Sequence, residues 1–271
     1  MTLDQPTEAG AKAALSAIAF PPGDWIIEAR NLSKSFSGFY AVRDLNLQVQ
    51  RNTIHALIGP NGAGKTTIFN LLTKFHQPTS GQVLFNGRDV TRTSMAELAR
   101  MGMVRSFQIS SVFPSLTVFE NVRIALQRKS GLSSRFWRPR SALDGLTQRA
   151  DELIDWVGLA DWRDTDAANL PYGRKRALEL ATTLALDPEM LLLDEPLAGM
   201  GHEDIDRVAE LIRRIARERT VLMVEHNLSV VADLSDHITV LARGQVLAEG
   251  AYEQVARDPK VLEAYIGGVA A

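Results

Sequence analysis

Between Trp25 and Val90 apolar residues alternate with polar ones or form short unbroken runs, whereas between Ser94 and Pro171 they recur at three- and four-residue spacing. The first spacing is that of strands and the second that of helices. Trp25 to Leu32, WIIEARNL, reads as a strand, Ser37 and Gly38 as a polar turn, and Asp44 to Val49 as a second strand with Leu45, Leu47 and Val49 on one face. The two form an antiparallel pair leading into a third strand, Ile54 to Ile58, whose apolar Ile54, Ala56, Leu57 and Ile58 suit a parallel strand buried on both faces. Pro78 to Gly81 is a turn, Gln82 to Phe85 a strand, and Asn86-Gly87 a type I′ hairpin signal before Arg88 to Val90. MAELARMG, LTVFENVRIALQRK and LTQRADELIDWVGLADW then predict helices. Strand and helix alternation returns at Met190 to Leu193, Glu203 to Glu218, Thr220 to Val224 and His237 to Leu241. The pattern is an α/β core with an inserted helical lobe.

Composition narrows the classes. A chain of 271 residues, 45% hydrophobic and 23% charged, can bury one large core or a core with a smaller lobe. Its formal net charge of −2 provides no basic excess, so no nucleic acid is expected as a partner. With no cysteine there is neither a disulfide framework nor a thiolate zinc site, which fits a reducing compartment. No apolar run approaches the ~20 residues that span a bilayer. Met1 to Gly23 is alanine-rich but lacks a basic start followed by an apolar core; it reads as a loosely attached arm, with a partner-binding helix over Ala9 to Phe20 as the competing reading. The basic stretch Lys129 to Arg140, with Arg135, Phe136, Trp137 and Arg138, breaks the helical lobe. A solvated linker is the favoured reading, contact with lipid headgroups or a membrane partner the other.

The chemistry begins at Gly59 to Thr66, which matches G-x-x-x-x-G-K-[ST] between a strand and a helix. Gly59, Gly62 and Gly64 permit the tight turn that points successive N–H groups at an anion, and the helix opening near Lys65 adds its own unsatisfied amides. Lys65 is the point charge for the β- and γ-phosphates, and the Thr66 hydroxyl a ligand for Mg²⁺. Met190 to Glu195, MLLLDE, is an apolar strand ending in two acids; Asp194 suits the metal and Glu195 the role of general base towards water. Phe36 could stack on an adenine ring, although core packing is the better reading of an aromatic at that place.

The order of these motifs resembles the ATP-binding subunit of an ABC transporter, over Trp25 to Gly268. The resemblance implies an α/β P-loop NTPase (RecA-like) core with an N-terminal antiparallel β subdomain and an inserted α-helical subdomain. Residues 1–24 are then an N-terminal extension and 25–271 the ATPase domain, divided into a core of 25–93 and 172–271 and a helical subdomain of 94–171. It implies that Asn61, Gly62, Ala63, Gly64, Lys65, Thr66 and Thr67 surround the phosphates of ATP. Gln108 in SFQ resembles the Q-loop glutamine, which meets the metal and the lytic water, and His226 in VEHN resembles the switch histidine of the γ-phosphate. Leu170 to Arg174, LPYGR, stands where the signature does, so Tyr172, Gly173 and Arg174 are expected at the ATP held by a second subunit. Leu197 to Gly201 resembles the loop that crosses the dimer interface.

Pro171 replaces the signature serine and forgoes a hydroxyl worth on the order of 1 kcal/mol, although proline suits the first turn of a helix. Arg174, with Lys175 and Arg176, is expected to compensate through positive charge. Gly201 replaces the usual acid or amide of the dimer-crossing loop. DEPLAGM, VEHN and the tail QVLAEGAYEQVARDPKVLEAYIG most resemble the branched-chain amino acid importer subfamily and its urea and amide relatives. The implied partners are a second ATPase subunit, identical or paralogous, transmembrane permease subunits beside Gln108 and Ser110 to Asn121, and indirectly a periplasmic solute-binding protein. The implied place is the cytoplasmic side of the inner membrane, peripheral through the permeases. Alternatives are the ATPase of a lipopolysaccharide exporter, a soluble ABC ATPase outside transport, and a nucleotide-binding regulator with little turnover.

Overall fold

Ser37 and Gly38 both take positive φ, 49° and 88°, so the chain reverses within two residues and joins β1 (Trp25–Phe36) to β2 (Phe39–Gln50) as an antiparallel hairpin. The computed structural model describes residues 23–106, 112–129 and 141–267. A second pair, Asn86 at 51° and Gly87 at 72°, turns β4 (Ser80–Phe85) into β5 (Arg88–Asp89), as the Asn-Gly signal predicts. The four strands form an antiparallel sheet in the order β2-β1-β4-β5.

The larger sheet has the order β10-β9-β3-β8-β7-β6. Its members are β3 (Ile54–Ile58), β6 (Met103–Ser106), β7 (Met190–Asp194), β8 (Thr220–Val224), β9 (His237–Ala242) and β10 (Gln245–Gly250). All pair in parallel except β10, which runs antiparallel along β9. β3, β7 and β8 are buried at every residue, which is why their sequences are apolar runs rather than alternations.

β6 corrects the expected extent of the helical lobe. Met103 to Ser106 pairs with Met190 to Leu193, so it belongs to the core sheet and not to a helical segment running from Ser94. α2 (Met95–Arg100) does form, started by a capping box between Ser94 and Glu97, but Gly102 at φ 103° ends the turn and redirects the chain. Four residues are too few for any period to show. The packed helices of the lobe are α3 (Val118–Lys129) and α4 (Ser141–Trp156), which lie on each other and on α5 (Tyr172–Leu184).

The larger sheet separates two cores. On one face Ile54, Ala56, Ile58, Leu191, Leu193, Val221, Met223 and Val240 pack on α3, α4, α5, α6 (His202–Ala216) and α7 (Leu228–Leu234). On the other, Leu57, Leu192, Leu222 and Leu241 meet α1 (Lys65–Leu72) and the antiparallel sheet. Phe69 of α1 and Phe85 of β4 are fully buried there, each contributing roughly 1.5–3 kcal/mol through area removed from water. The chain closes with α8 (Tyr252–Val255) and α9 (Pro259–Gly267).

One polar chain crosses this sheet. Buried His55 on β3 lies 2.8 Å through Nε2 from Thr239 Oγ1, which donates to Glu249 Oε1 at 2.8 Å. With the threonine proton committed to Glu249, His55 donates through Nε2. Burial, and secondarily the neighbouring His237, pull the His55 pKa from 6.5 down to about 3. The unfolded chain takes up this proton below 6.5 and the folded one only near 3, so stability falls as pH drops through that window, by at most about 1.4 kcal/mol per pH unit from this group. His55→Gln is expected to flatten the pH dependence of the urea unfolding free energy between about pH 6 and 4. An unchanged slope would show that His55 titrates alike in both states.

Candidate functional site

The loop between β3 and α1 passes between walls that admit no side chain. At Gly59 (φ 147°) a Cβ would lie 2.2 Å from the Leu241 carbonyl oxygen, and at Gly64 (φ 101°) 2.7 Å from that of Ala41. Gly62, by contrast, has open space around it, and Asn61 and Thr66 are exposed. The buried Ala63 anchors the loop: its N–H donates to Pro60 O at 3.2 Å and its carbonyl accepts from Gly244 N at 3.0 Å. α1 starts at Gly64 without a side-chain cap, so its first amides point out of the helix towards the loop. The Lys65 ammonium folds back to donate to Gly59 O at 2.6 Å and Pro60 O at 3.1 Å. Burial lowers its pKa, with the Glu195 and then the Asp194 carboxylates opposing. Thr67 is half-buried beside it.

β7 ends in Asp194, which is 6% exposed, and the chain then breaks sharply. Glu195 takes φ 46°, a left-handed conformation that costs a non-glycine residue roughly 1–2 kcal/mol, while its N–H donates to Val224 O at 3.0 Å. Its Oε1 lies 3.8 Å from His226 Nδ1. Both side chains keep access to solvent, 33% for Glu195 and 63% for His226. Sequence reasoning missed the group that joins them. Buried Glu225 accepts from Leu197 N at 3.2 Å through one oxygen, and from His226 N at 3.1 Å and Asn227 N at 3.4 Å through the other. Its only signal in the sequence is an acid at the end of an apolar strand.

Arg105 was missed too. From β6 its guanidinium donates to Asn70 Oδ1 at 2.7 Å and to Asp194 Oδ2 at 2.5 Å. A third missed residue is Tyr265 of α9, half-buried near the Gly59 N–H; burial raises its pKa and the amide opposes.

At the start of α5, Pro171 is the capping position with φ −55°, and Tyr172 Oη donates to Ala198 O at 3.1 Å, in the loop after β7. Gly173 is packed against Asp204, whose carboxylate atoms stand 2.3–2.7 Å from where a Cβ would be. Arg174, expected to add charge at this helix start, instead donates to Gly158 O at 2.8 Å, in the turn after α4. Arg176 is likewise engaged, with Glu179 at 2.7 Å. Among the described residues no hydrogen bond or ion pair joins Pro171–Arg174 to Gly59–Thr67.

Phe36 corrects the core-packing reading: it is 42% exposed, with its ring edge-on to His76 at 5.4 Å and Lys34 Nζ 5.0 Å above it. A hairpin end has only one covered face, and Phe36 is on the other. In the segment expected to meet membrane subunits, Phe113 is 53% exposed but Asn121 is buried, accepting from Phe113 N at 2.7 Å and donating to the Phe113, Leu116 and Thr117 carbonyls. Gln108, the arm Met1 to Pro22 and the basic segment 130–140 lie outside the described residues.

Residues 42–198 match the family model described as ABC transporter. The chain belongs to the ABC transporter family. The tail of this ABC protein, 245–271, matches the model described as branched-chain amino acid ATP-binding cassette transporter. The chain is 37% identical to the high-affinity branched-chain amino acid transport ATP-binding protein LivG of Escherichia coli K12 over 249 residues, covering 89% of this chain and 98% of that one. BraF of Pseudomonas aeruginosa, of the same description, is 37% identical with the same coverage, and a probable LivG of Archaeoglobus fulgidus 36%. A nucleotide-free ATP-binding cassette from an ABC transporter superposes with a TM-score of 0.78 at 29% identity, over 90% of this chain and 99% of that one. The ADP conformation of an ABC transporter cassette gives 0.79 at 29%, with the same coverage.

Because Arg174 ties the start of α5 to the α4 turn, Arg174→Ala is expected to lower the urea unfolding free energy by about 1 kcal/mol. A loss below about 0.2 kcal/mol would mean that this exposed bond does not persist in solution.

Proposed function

We propose that this chain binds and hydrolyses ATP with Mg²⁺ as one half of a head-to-tail pair, and so energises import of branched-chain amino acids or related small polar solutes. The observation that carries the reading is that the uncapped start of α1, the Lys65 ammonium and the Asp194–Glu195 step converge past the carboxyl-terminal ends of β3 and β7 in the parallel sheet. A helix start without a cap, wrapped in a glycine loop, offers amides and the positive end of a dipole to a polyphosphate. Lys65 is held by two carbonyl oxygens, and its ammonium exchanges them for the β- and γ-phosphates. The Thr66 hydroxyl and the Asp194 carboxylate are the hard oxygen donors that suit Mg²⁺, and Gln108 joins them by family resemblance. Bound Mg²⁺ neutralises charge on the β- and γ-phosphates. Glu195 takes the proton of the attacking water, and His226, held beside it by Glu225, contacts the γ-phosphate. Phe36, exposed at the hairpin end, stacks on the adenine.

The absence of any link from Pro171–Arg174 to the loop supports closure by a second subunit, a copy or a paralogue, whose Tyr172, Gly173 and Arg174 meet the γ-phosphate through the backbone amides at the uncapped start of α5. LivG and BraF, high-affinity branched-chain amino acid transport ATP-binding proteins, support the solute class. Among the described residues no helix is long and apolar enough to cross a membrane. By family resemblance the membrane passage belongs to separate permease subunits, which hold the chain peripherally on the cytoplasmic face and receive solute from a periplasmic binding protein.

Lys65→Ala is expected to weaken ATP binding by roughly 10- to 100-fold, the loss of one charge-assisted contact, read by equilibrium binding of a fluorescent analogue. Glu195→Gln is expected to retain binding, lose about 10²–10⁴ in hydrolysis rate and elute as a dimer on gel filtration with ATP. Wild-type turnover in Glu195→Gln would remove Glu195 as the base.

A further inference from the structure

Arg105 stands where neither the motifs nor the family resemblance assigns anything. It lies on β6, and its guanidinium spans two elements, α1, which follows the nucleotide loop, and β7, which ends at the Asp194–Glu195 step. One terminal nitrogen donates to Asn70 Oδ1 at 2.7 Å, the other to Asp194 Oδ2 at 2.5 Å. Asn70 sits one turn beyond Thr66 on the same face of α1. The guanidinium therefore bridges the two sides of the gap that Thr66 and Asp194 frame. The pair is secluded, with side-chain exposures of 13% for Arg105 and 6% for Asp194, and the Arg105 guanidinium also lies 5.7 Å over the buried Phe69 ring. In such a place a like charge is strongly felt, because the local dielectric is far below that of water.

We infer that Arg105 is a positioning residue of the metal site: its guanidinium supplies the positive charge beside Asp194 before nucleotide arrives and keeps the bare site from taking a divalent cation on its own. The inference rests on the assignment of Asp194 under the proposed function. The guanidinium holds the carboxylate through Oδ2, which leaves Oδ1 as the oxygen available to a cation. A divalent ion entering alone meets a carboxylate whose charge is already balanced, and is repelled by the guanidinium. Entry together with ATP is different, since the phosphates bring the missing negative charge. Arg105 thus selects the metal–nucleotide complex over the free metal.

The test is Mn²⁺ binding to the nucleotide-free chain, followed by electron paramagnetic resonance, for wild type, Arg105→Gln, Arg105→Lys and the double variant Arg105→Gln with Asp194→Asn. Arg105→Gln is expected to bind Mn²⁺ at least about tenfold more tightly than wild type. Arg105→Lys, which keeps the charge, should remain near wild type, and the double variant should lose the gain. Melting temperature against Mn²⁺ concentration gives a second reading that tolerates a destabilised variant: Mn²⁺ should stabilise Arg105→Gln more than wild type. Equal Mn²⁺ affinity and equal Mn²⁺ stabilisation in Arg105→Gln and wild type would overturn the inference, as would a gain that survives in the double variant or appears equally in Arg105→Lys. Binding of ATP in EDTA is measured alongside, so that a wild type unable to bind nucleotide counts against the proposed function while the Mn²⁺ comparison still decides the role of Arg105.

Discussion

Contact of backbone with backbone around the nucleotide loop is the constraint on which the remainder depends. Gly59 runs against the Leu241 carbonyl of β9 and Gly64 against the Ala41 carbonyl of β2, at separations that exclude even a methyl group. Gly244, in the turn between β9 and β10, donates to Ala63 O and accepts from Arg43 N at 2.9 Å. The loop is therefore clamped by both sheets at once. The antiparallel hairpin, which could pass for an accessory layer, forms one jaw of the clamp, and the hairpin end that carries Phe36 inherits its position from that same contact.

Charge is distributed to match. Each carboxylate near the loop already has a partner: Asp194 has Arg105, Glu225 has three backbone amides, and Glu195 has the imidazole of His226 within 3.8 Å. Lys65 rests on carbonyl oxygens rather than on an acid. Ion pairs taken out of water return little net stability, so the value of the buried ones lies in fixed direction. A carboxylate held by a donor on one oxygen keeps the other in a fixed place, as the proposed phosphate and metal site requires.

Much of this was legible in the sequence because the determining signals are local. The Asn86-Gly87 turn, the glycines at 59, 62 and 64 and the apolar runs of β3, β7 and β8 each carry their own physical reason within a few residues. What was not legible depends on distance along the chain. β6 has four residues and no period, and it is a strand because β7 lies beside it. Arg105 gains meaning from Asp194, 89 positions away. Arg174 looks like free positive charge until the Gly158 carbonyl appears next to it, and Phe36 looks like core until the hairpin end is seen to have one open face. The motif supplied the chemistry at the loop, and the tertiary contacts decide which neighbouring side chains remain available to take part.

The Glu225 carboxylate joins the strand-end loop of Glu195 to that of His226 through three amides, and it is buried where water cannot replace any of them. Two loops from different strands are thereby welded into one mechanical part. A force on the exposed histidine cannot be absorbed by its own loop; it must be passed to the segment Glu195 to Leu197 and on to Ala198, whose carbonyl is held by Tyr172 at the start of α5. The fold thus contains a short, stiff linkage from His226, the proposed contact of the γ-phosphate, to the start of α5, proposed to close on a second subunit.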